Sequence, residues 1–225
     1  MNTRILVSAL ALALVVPFSA TAASQAAHQQ HATAQHAATA PATATQTAPE
    51  LHKAMRGLWH GHIVATRDYA LAIKKGNSAA ANKAADAAVA NAKDIANAVA
   101  GFYGQAGGDG ILKLLAGHWG GVKAMTDAQH AHDQAGVDKA MQALTGNAAE
   151  LAKFLHTANP DNWPQATVEG LLLGHIAGHK AQIQQVMAGD MKAEATTWRS
   201  MQDHMNTIAD ALADGLARQF PDKAK

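Results

Sequence analysis

Four histidines fall where two repeated phrases place them. Leu58-Trp59-His60-Gly61-His62, Leu114-Leu115-Ala116-Gly117-His118 and Leu171-Leu172-Leu173-Gly174-His175 share the pattern L-[W/L]-x-G-H. The closing histidines lie 56 (118 − 62) and 57 (175 − 118) residues apart. A second phrase begins 29 residues after each of them (91 − 62, 147 − 118, 204 − 175), at Asn91, Asn147 and His204. Neutral imidazole is the commonest first-row metal ligand, and helical bundles build metal sites from facing side chains. His62, His118, His175 and His204 come from four different segments, enough for one tetrahedral or square-planar ion, or for three ligands and an open position. Asn91 and Asn147 belong to the same layer. Asp94 and Glu150, one turn along, are candidate acceptors behind the ligands or a second metal site. Few carboxylates in the ligand set favour Zn or Cu over Ni or Fe. Haem held by two histidines ranks below all of these.

A second explanation needs no ion. Unpaired buried polar groups cost roughly 1–3 kcal/mol each, so a hydrogen-bonded His–Asn network could fix the register of similar hairpins. His175 and His179 stand at i, i+4, but Thr66 and Val122 occupy the matching places in the other repeats, which counts against His179 as a ligand. His60 is expected outside the core, and His130 and His132 in solvent at a turn. Arg67, Lys123 and Lys180, each five residues past a histidine, read as solvated or interhelical charges.

The elements that must position this layer are helices. Apolar residues recur at three and four, as in Met201, Met205, Ile208, Leu212 and Leu216. Asn77, Asp133 and Asp190 sit where helix N-caps are needed. The pattern predicts an all-α fold, an antiparallel six-helix bundle of helices at about 51–75, 79–103, 110–131, 134–157, 165–188 and 191–219. These pair as three repeated hairpins, about 51–103, 110–157 and 165–219, within a domain spanning 50–221. A fixed period of this kind marks a repeated supersecondary unit. Because each turn lies midway between its two phrases, the six polar residues are expected at one height. The segment from Gly104 to Gly110 is expected to separate the first hairpin from the second. Asn159-Pro160-Asp161-Asn162-Trp163-Pro164 separates the second from the third, with Trp163 plugging one end.

Residues 1–23 begin with Arg4, continue through an apolar run from Ile5 to Val16 and end in small residues, the pattern of a secretory signal peptide. The expected location is therefore periplasmic or secreted, with no stable membrane anchor after cleavage. Residues 24–49 are rich in Ala, Thr, Gln and His, and read as a disordered linker in which His28, His31 and His36 could hold a metal loosely. The chain has no cysteine, which excludes disulfides, lipoprotein anchoring and c-type haem attachment. A formal net charge of +1 with no basic stripe argues against nucleic acid. No P-loop, G-x-S-x-G or nucleophilic Ser–His arrangement is present.

The chain resembles a family of poorly characterised, often secreted bacterial helical proteins. The resemblance rests on Leu58-Trp59-x-x-His62 with Thr66-Arg67, Asn91-x-x-Asp94-Ile95, Phe102-Tyr103-Gly104, Leu114-Leu115-x-x-His118 and Asn147-Ala-x-Glu150. It continues through Asn159-Pro160-x-Asn162-Trp163-Pro164, Leu172-x-x-His175, Gly189-Asp190, His204 and Gln219-Phe220-Pro221, covering nearly all of 51–221. Some relatives are labelled glycosyltransferases. That activity is not carried over, because sugar-nucleotide enzymes are generally α/β and this chain lacks strand patterns. The sequence points to a periplasmic bundle binding a transition metal through its histidine layer. The alternative is a non-catalytic structural or stress-related protein; a haem protein or a metalloenzyme with an open coordination position comes third.

Overall fold

The computed structural model describes residues 48–224. The signal-peptide segment, nearly all of the linker and its three histidines lie outside the described residues. Those described form an all-helical fold: α1 (Pro49–Lys74), α2 (Ser78–His130), α3 (Gln134–Ala158), α4 (Gln165–Ala188) and α5 (Met191–Gln219). Consecutive helices pack together, and α5 returns against α1 to close the ring. No described helix is long and apolar enough to cross a membrane.

The helix starts follow the capping chemistry. The side chains of Asn77, Asp133 and Asp190 each accept a hydrogen bond, from the amides of Ala80, Gly136 and Ala193 at 3.0 Å. Each satisfies a first-turn N–H that the helix itself cannot. α1 begins at Pro49, where the missing N–H costs nothing.

The expected loop at 104–110 is instead one residue. Helical structure runs from Ser78 to His130, interrupted only at Gly104, with φ 77° and ψ 176°. That region of backbone space is open essentially to glycine alone. It bends the chain sharply. A Cβ built on Gly108 would stand 2.9 Å from both the Ala96 carbonyl and the Ala100 Cβ. In a straight helix residues 96 and 108 would be about 18 Å apart. The glycine-rich segment therefore reads as a loop in sequence, but one positive φ is all the reversal needs. Gly107, Gly108 and Gly110 then continue the helix at close quarters with its other arm and with α3.

Met201, Met205, Ile208, Leu212 and Leu216 are all buried, as the periodicity predicts. With Trp59, Ile95, Leu115, Leu151 and Trp163 they form one apolar cluster. Val122, Met125, Val137, Leu144, Ile176 and Ile183 belong to a second. On the second arm of α2 and on α4, the layer histidine lies between residues of the first cluster and residues of the second. Trp163 is buried, and its indole donates to the Ala211 carbonyl at 3.1 Å. Asn159 donates to the Gly215 carbonyl at 2.9 Å, which ties the same loop to α5.

Candidate metal centre

The layer residues divide into two sets with different partners. His62, His118 and His175 point inward and are buried. Their ring centroids form a nearly equilateral triangle, with sides of 5.3, 5.4 and 5.5 Å. A fourth ring caps it. His179 lies 4.3, 5.5 and 5.8 Å from His175, His62 and His118 and is almost wholly buried. One ring nitrogen from each of the four lies within 4.8 Å of those of the other three.

Asn91, Asn147 and His204 face outward from this centre and are only partly buried. Each donates to a main-chain carbonyl of a neighbouring helix, 33 residues earlier: Asn91 Nδ2 to Leu58 at 2.9 Å, Asn147 Nδ2 to Leu114 at 3.0 Å and His204 Nε2 to Leu171 at 2.9 Å. In an α-helix those carbonyls already accept the amides of His62, His118 and His175, four residues on. The extra bond clamps the turn that carries each imidazole. The glycine of the repeated phrase makes room for it. A Cβ on Gly61 or Gly117 would come within 2.8 or 3.2 Å of the asparagine Nδ2, and one on Gly174 within 3.2 Å of the His204 ring. In L-x-x-G-H the leucine thus supplies the carbonyl, the glycine the clearance and the histidine the inward imidazole.

The structure places His204 outside the four-histidine cluster and on the Leu171 carbonyl. A carbonyl only accepts, so Nε2 must carry the proton, and the residue aligns with Asn91 and Asn147 rather than with the cluster. Asp94 and Glu150 are exposed and do not belong to the cluster. They stand three residues past Asn91 and Asn147, and the buried places one turn on go to Ile95 and Leu151. Of the six residues expected at one height, three meet in the cluster and three bond to main-chain carbonyls. His179 takes the remaining inner place. Its lack of counterparts in the other two phrases follows from position: it caps a nearly equilateral triangle of rings, and one cap fills that face. Thr66 and Val122, its equivalents, are buried without joining the centre. The i, i+4 spacing with His175 was the signal that could find it.

Burial keeps these imidazoles neutral. Desolvation pushes His62 down to about 3 and His118 down to about 4, and holds His175 and His179 well below the ordinary histidine range. Neutral rings offer lone pairs, the form a metal requires. The polar atoms are also poorly served by protein. His118 Nε2 and His175 Nδ1 have no hydrogen-bond partner. His175 Nε2 meets only other imidazoles, His62 Nε2 at 3.3 Å and His179 Nε2 at 2.9 Å. A Zn–N bond of about 2.0–2.1 Å implies a tetrahedral N···N edge of about 3.3–3.4 Å, so the first spacing matches and the second needs a small rotation. Haem does not fit, because rings 4.3–5.8 Å apart leave no plane for a macrocycle among them.

The remaining sequence candidates fall elsewhere. His60, His130 and His132 are at the surface or partly exposed, outside the cluster. Arg67 pairs with the buried Glu194 across α1 and α5, Nε to Oε1 at 2.6 Å. That guanidinium holds Glu194 below the ordinary carboxylate range, and Gln182 donates to the same carboxylate at 3.0 Å. Lys123 pairs with Asp127. No family model, curated protein or solved structure matches this chain.

Proposed function

We propose that this chain is a metal-binding helical bundle that works outside the cytoplasm, with one transition-metal ion among His62, His118, His175 and His179. The observation that carries the reading is four buried, neutral imidazoles converging on one point with orphaned nitrogens. Structural histidines are normally given partners, since a buried unpaired polar group costs roughly 1–3 kcal/mol. An ion would supply a partner to four rings at once. An all-nitrogen set without carboxylate suits Zn or Cu ahead of Ni or Fe. Bound there, the ion would act as a Lewis acid toward any donor atom that reached it. The N-terminal apolar segment supports export. The threefold 33-residue bonds support treating the two arms of α2 as separate helices, so that the bundle is three hairpins.

The architectural reading has its own support in the Asn91, Asn147 and His204 clamps, which fix register without any metal. The two roles occupy different residues of the same phrase. Titration of the full chain with Zn, Cu, Ni and Fe separates them, with His175→Ala as the reference that retains His28, His31 and His36. Tight binding lost in His175→Ala is expected. If no ion binds the wild type more tightly than about 10 µM, or roughly −7 kcal/mol, the layer is architectural throughout.

A further inference from the structure

A cavity of about 110 Å³ adjoins the histidine layer on one side. Its lining runs from Leu51 to His62 on α1 and from Val168 to His175 on α4, so the imidazoles of His62, His118 and His175 form its floor. His179, one turn further along α4, does not line it and caps the triangle from the far side. The face of the triangle without a cap is the face that looks into the cavity. In the walls, Tyr103 donates to Gln219 and Trp163 to the Ala211 carbonyl; the rest are apolar, with one exception. Trp59 lines the cavity, and its indole Nε1 is buried without a partner. The indole stands edge-on to His62, with centroids 6.2 Å apart. His118 Nε2, on the floor, has no partner either.

We propose that this cavity is a binding pocket for a small, uncharged, mainly apolar molecule carrying one lone-pair donor atom. The donor atom turns toward the imidazole floor, and the apolar body fills the space between Ile95, Leu115, Leu151 and Ile208. The size is suitable, since an engineered apolar cavity of about 150 Å³ takes benzene or xenon. The walls here include Met55 and Met205, side chains that adapt their shape readily. The chemistry is specific at one end only. An indole N–H without an acceptor and the open side of a metal-ligating triangle both call for a lone pair. Delivery of that lone pair to an ion rests on the metal reading above; occupation of the cavity and pairing with Trp59 do not.

The test uses benzene and pyridine, the same shape with and without a ring nitrogen, on the full chain with and without one equivalent of zinc. Saturable binding of both is expected, followed by NMR or calorimetry. Pyridine should bind more tightly than benzene in the metal-free protein, and Trp59→Phe should remove that advantage. With zinc the preference should reach about tenfold or more. Ala98→Phe, which fills the cavity, should weaken both probes by about tenfold while zinc affinity is retained. A xenon peak in the cavity of the wild-type crystal makes the same point if that variant does not fold. Failure of both probes and of xenon overturns the pocket, as does binding indifferent to Ala98→Phe. Equal affinity for benzene and pyridine in both forms overturns the donor atom. Zinc that does not bind, with a pyridine preference that still depends on Trp59, leaves the pocket standing and removes the metal.

Discussion

Two regions of this bundle bury histidine, and they treat it differently. Near one end, His52 is 3% exposed, with Nδ1 2.9 Å from Asp210 Oδ1 and Nε2 3.0 Å from Asp214 Oδ1. Both ring nitrogens meet a carboxylate, and Arg56 completes the group on Asp210. It is a strap between α1 and α5. In the layer, His62, His118, His175 and His179 are equally buried, yet no Asp or Glu belongs to their cluster and two ring nitrogens have no partner. The same chain therefore supplies acids to a buried imidazole where it serves the fold, and withholds them where four imidazoles meet. A carboxylate beside a coordinating nitrogen would favour the protonated ring, which has no lone pair to give; none belongs to the four-histidine cluster.

Acid should break this contrast most strongly. Burial holds His62 at about 3 and His118 at about 4, against an ordinary 6.5. Below pH 6.5 the unfolded chain takes up protons that the folded metal-free protein refuses. Stability is thus full above about pH 6.5 and falls as pH drops toward 4, by up to about 1.4 kcal/mol per pH unit for each such group. His175 and His179 act in the same direction. Urea melts of the metal-free protein between pH 7.5 and 4.5 measure it, and a flat profile would mean that the rings are solvated or charged in the fold.

Substitution sharpens the contrast at the two sites. His175→Ala or His179→Ala should lower metal affinity by about a hundredfold or more, since outer partners alone move it 10–100-fold. His52→Ala should leave that affinity alone and cost about 1–2 kcal/mol of stability. Competition titrations and denaturant melts on the three variants give both numbers; a metal defect in His52→Ala would erase the distinction between the sites.

Smaller effects belong to the clamps. His204→Asn installs the residue that the other two repeats already use, so stability and metal affinity should stay near wild type. His204→Ala should lose about 1 kcal/mol with the bond to Leu171. A large loss of metal binding in His204→Asn would restore His204 as a ligand. Smallest of all, Asp94→Ala and Glu150→Ala should change stability by no more than about 0.5 kcal/mol and leave metal affinity unchanged, as checked by the same melts and titrations.

Much of this was legible in the sequence because repetition exposes geometry. Helical periodicity and the capping residues Asn77, Asp133 and Asp190 located the helix ends, and the 29-residue offset identified the two sets of polar residues. Periodicity alone could not assign their roles. His62 and His204 both lie near the core stripe, and a fraction of a turn decides whether a side chain reaches the axis or stops at a neighbouring carbonyl. Gly61, Gly117 and Gly174 held the missing information, because room for a side chain is needed on the side from which the clamp enters. His179 was obscured by the very repetition that revealed the others. At Gly104, composition suggested a loop where a single positive φ was sufficient. His52 and Glu194 carry no repeat signature, since their partners on α5 and α1 meet only in the closed ring.

Whether four imidazoles from α1, α2 and α4 share one ion is decided by anomalous diffraction from zinc-soaked crystals, with data on both sides of the zinc edge. One strong peak is expected within the cluster, about 2.0–2.1 Å from a nitrogen of each of His62, His118, His175 and His179, with His204 still on the Leu171 carbonyl. Zinc found only on outlying histidines such as His130 and His132, with the cluster empty and its rings in place, would contradict the shared site.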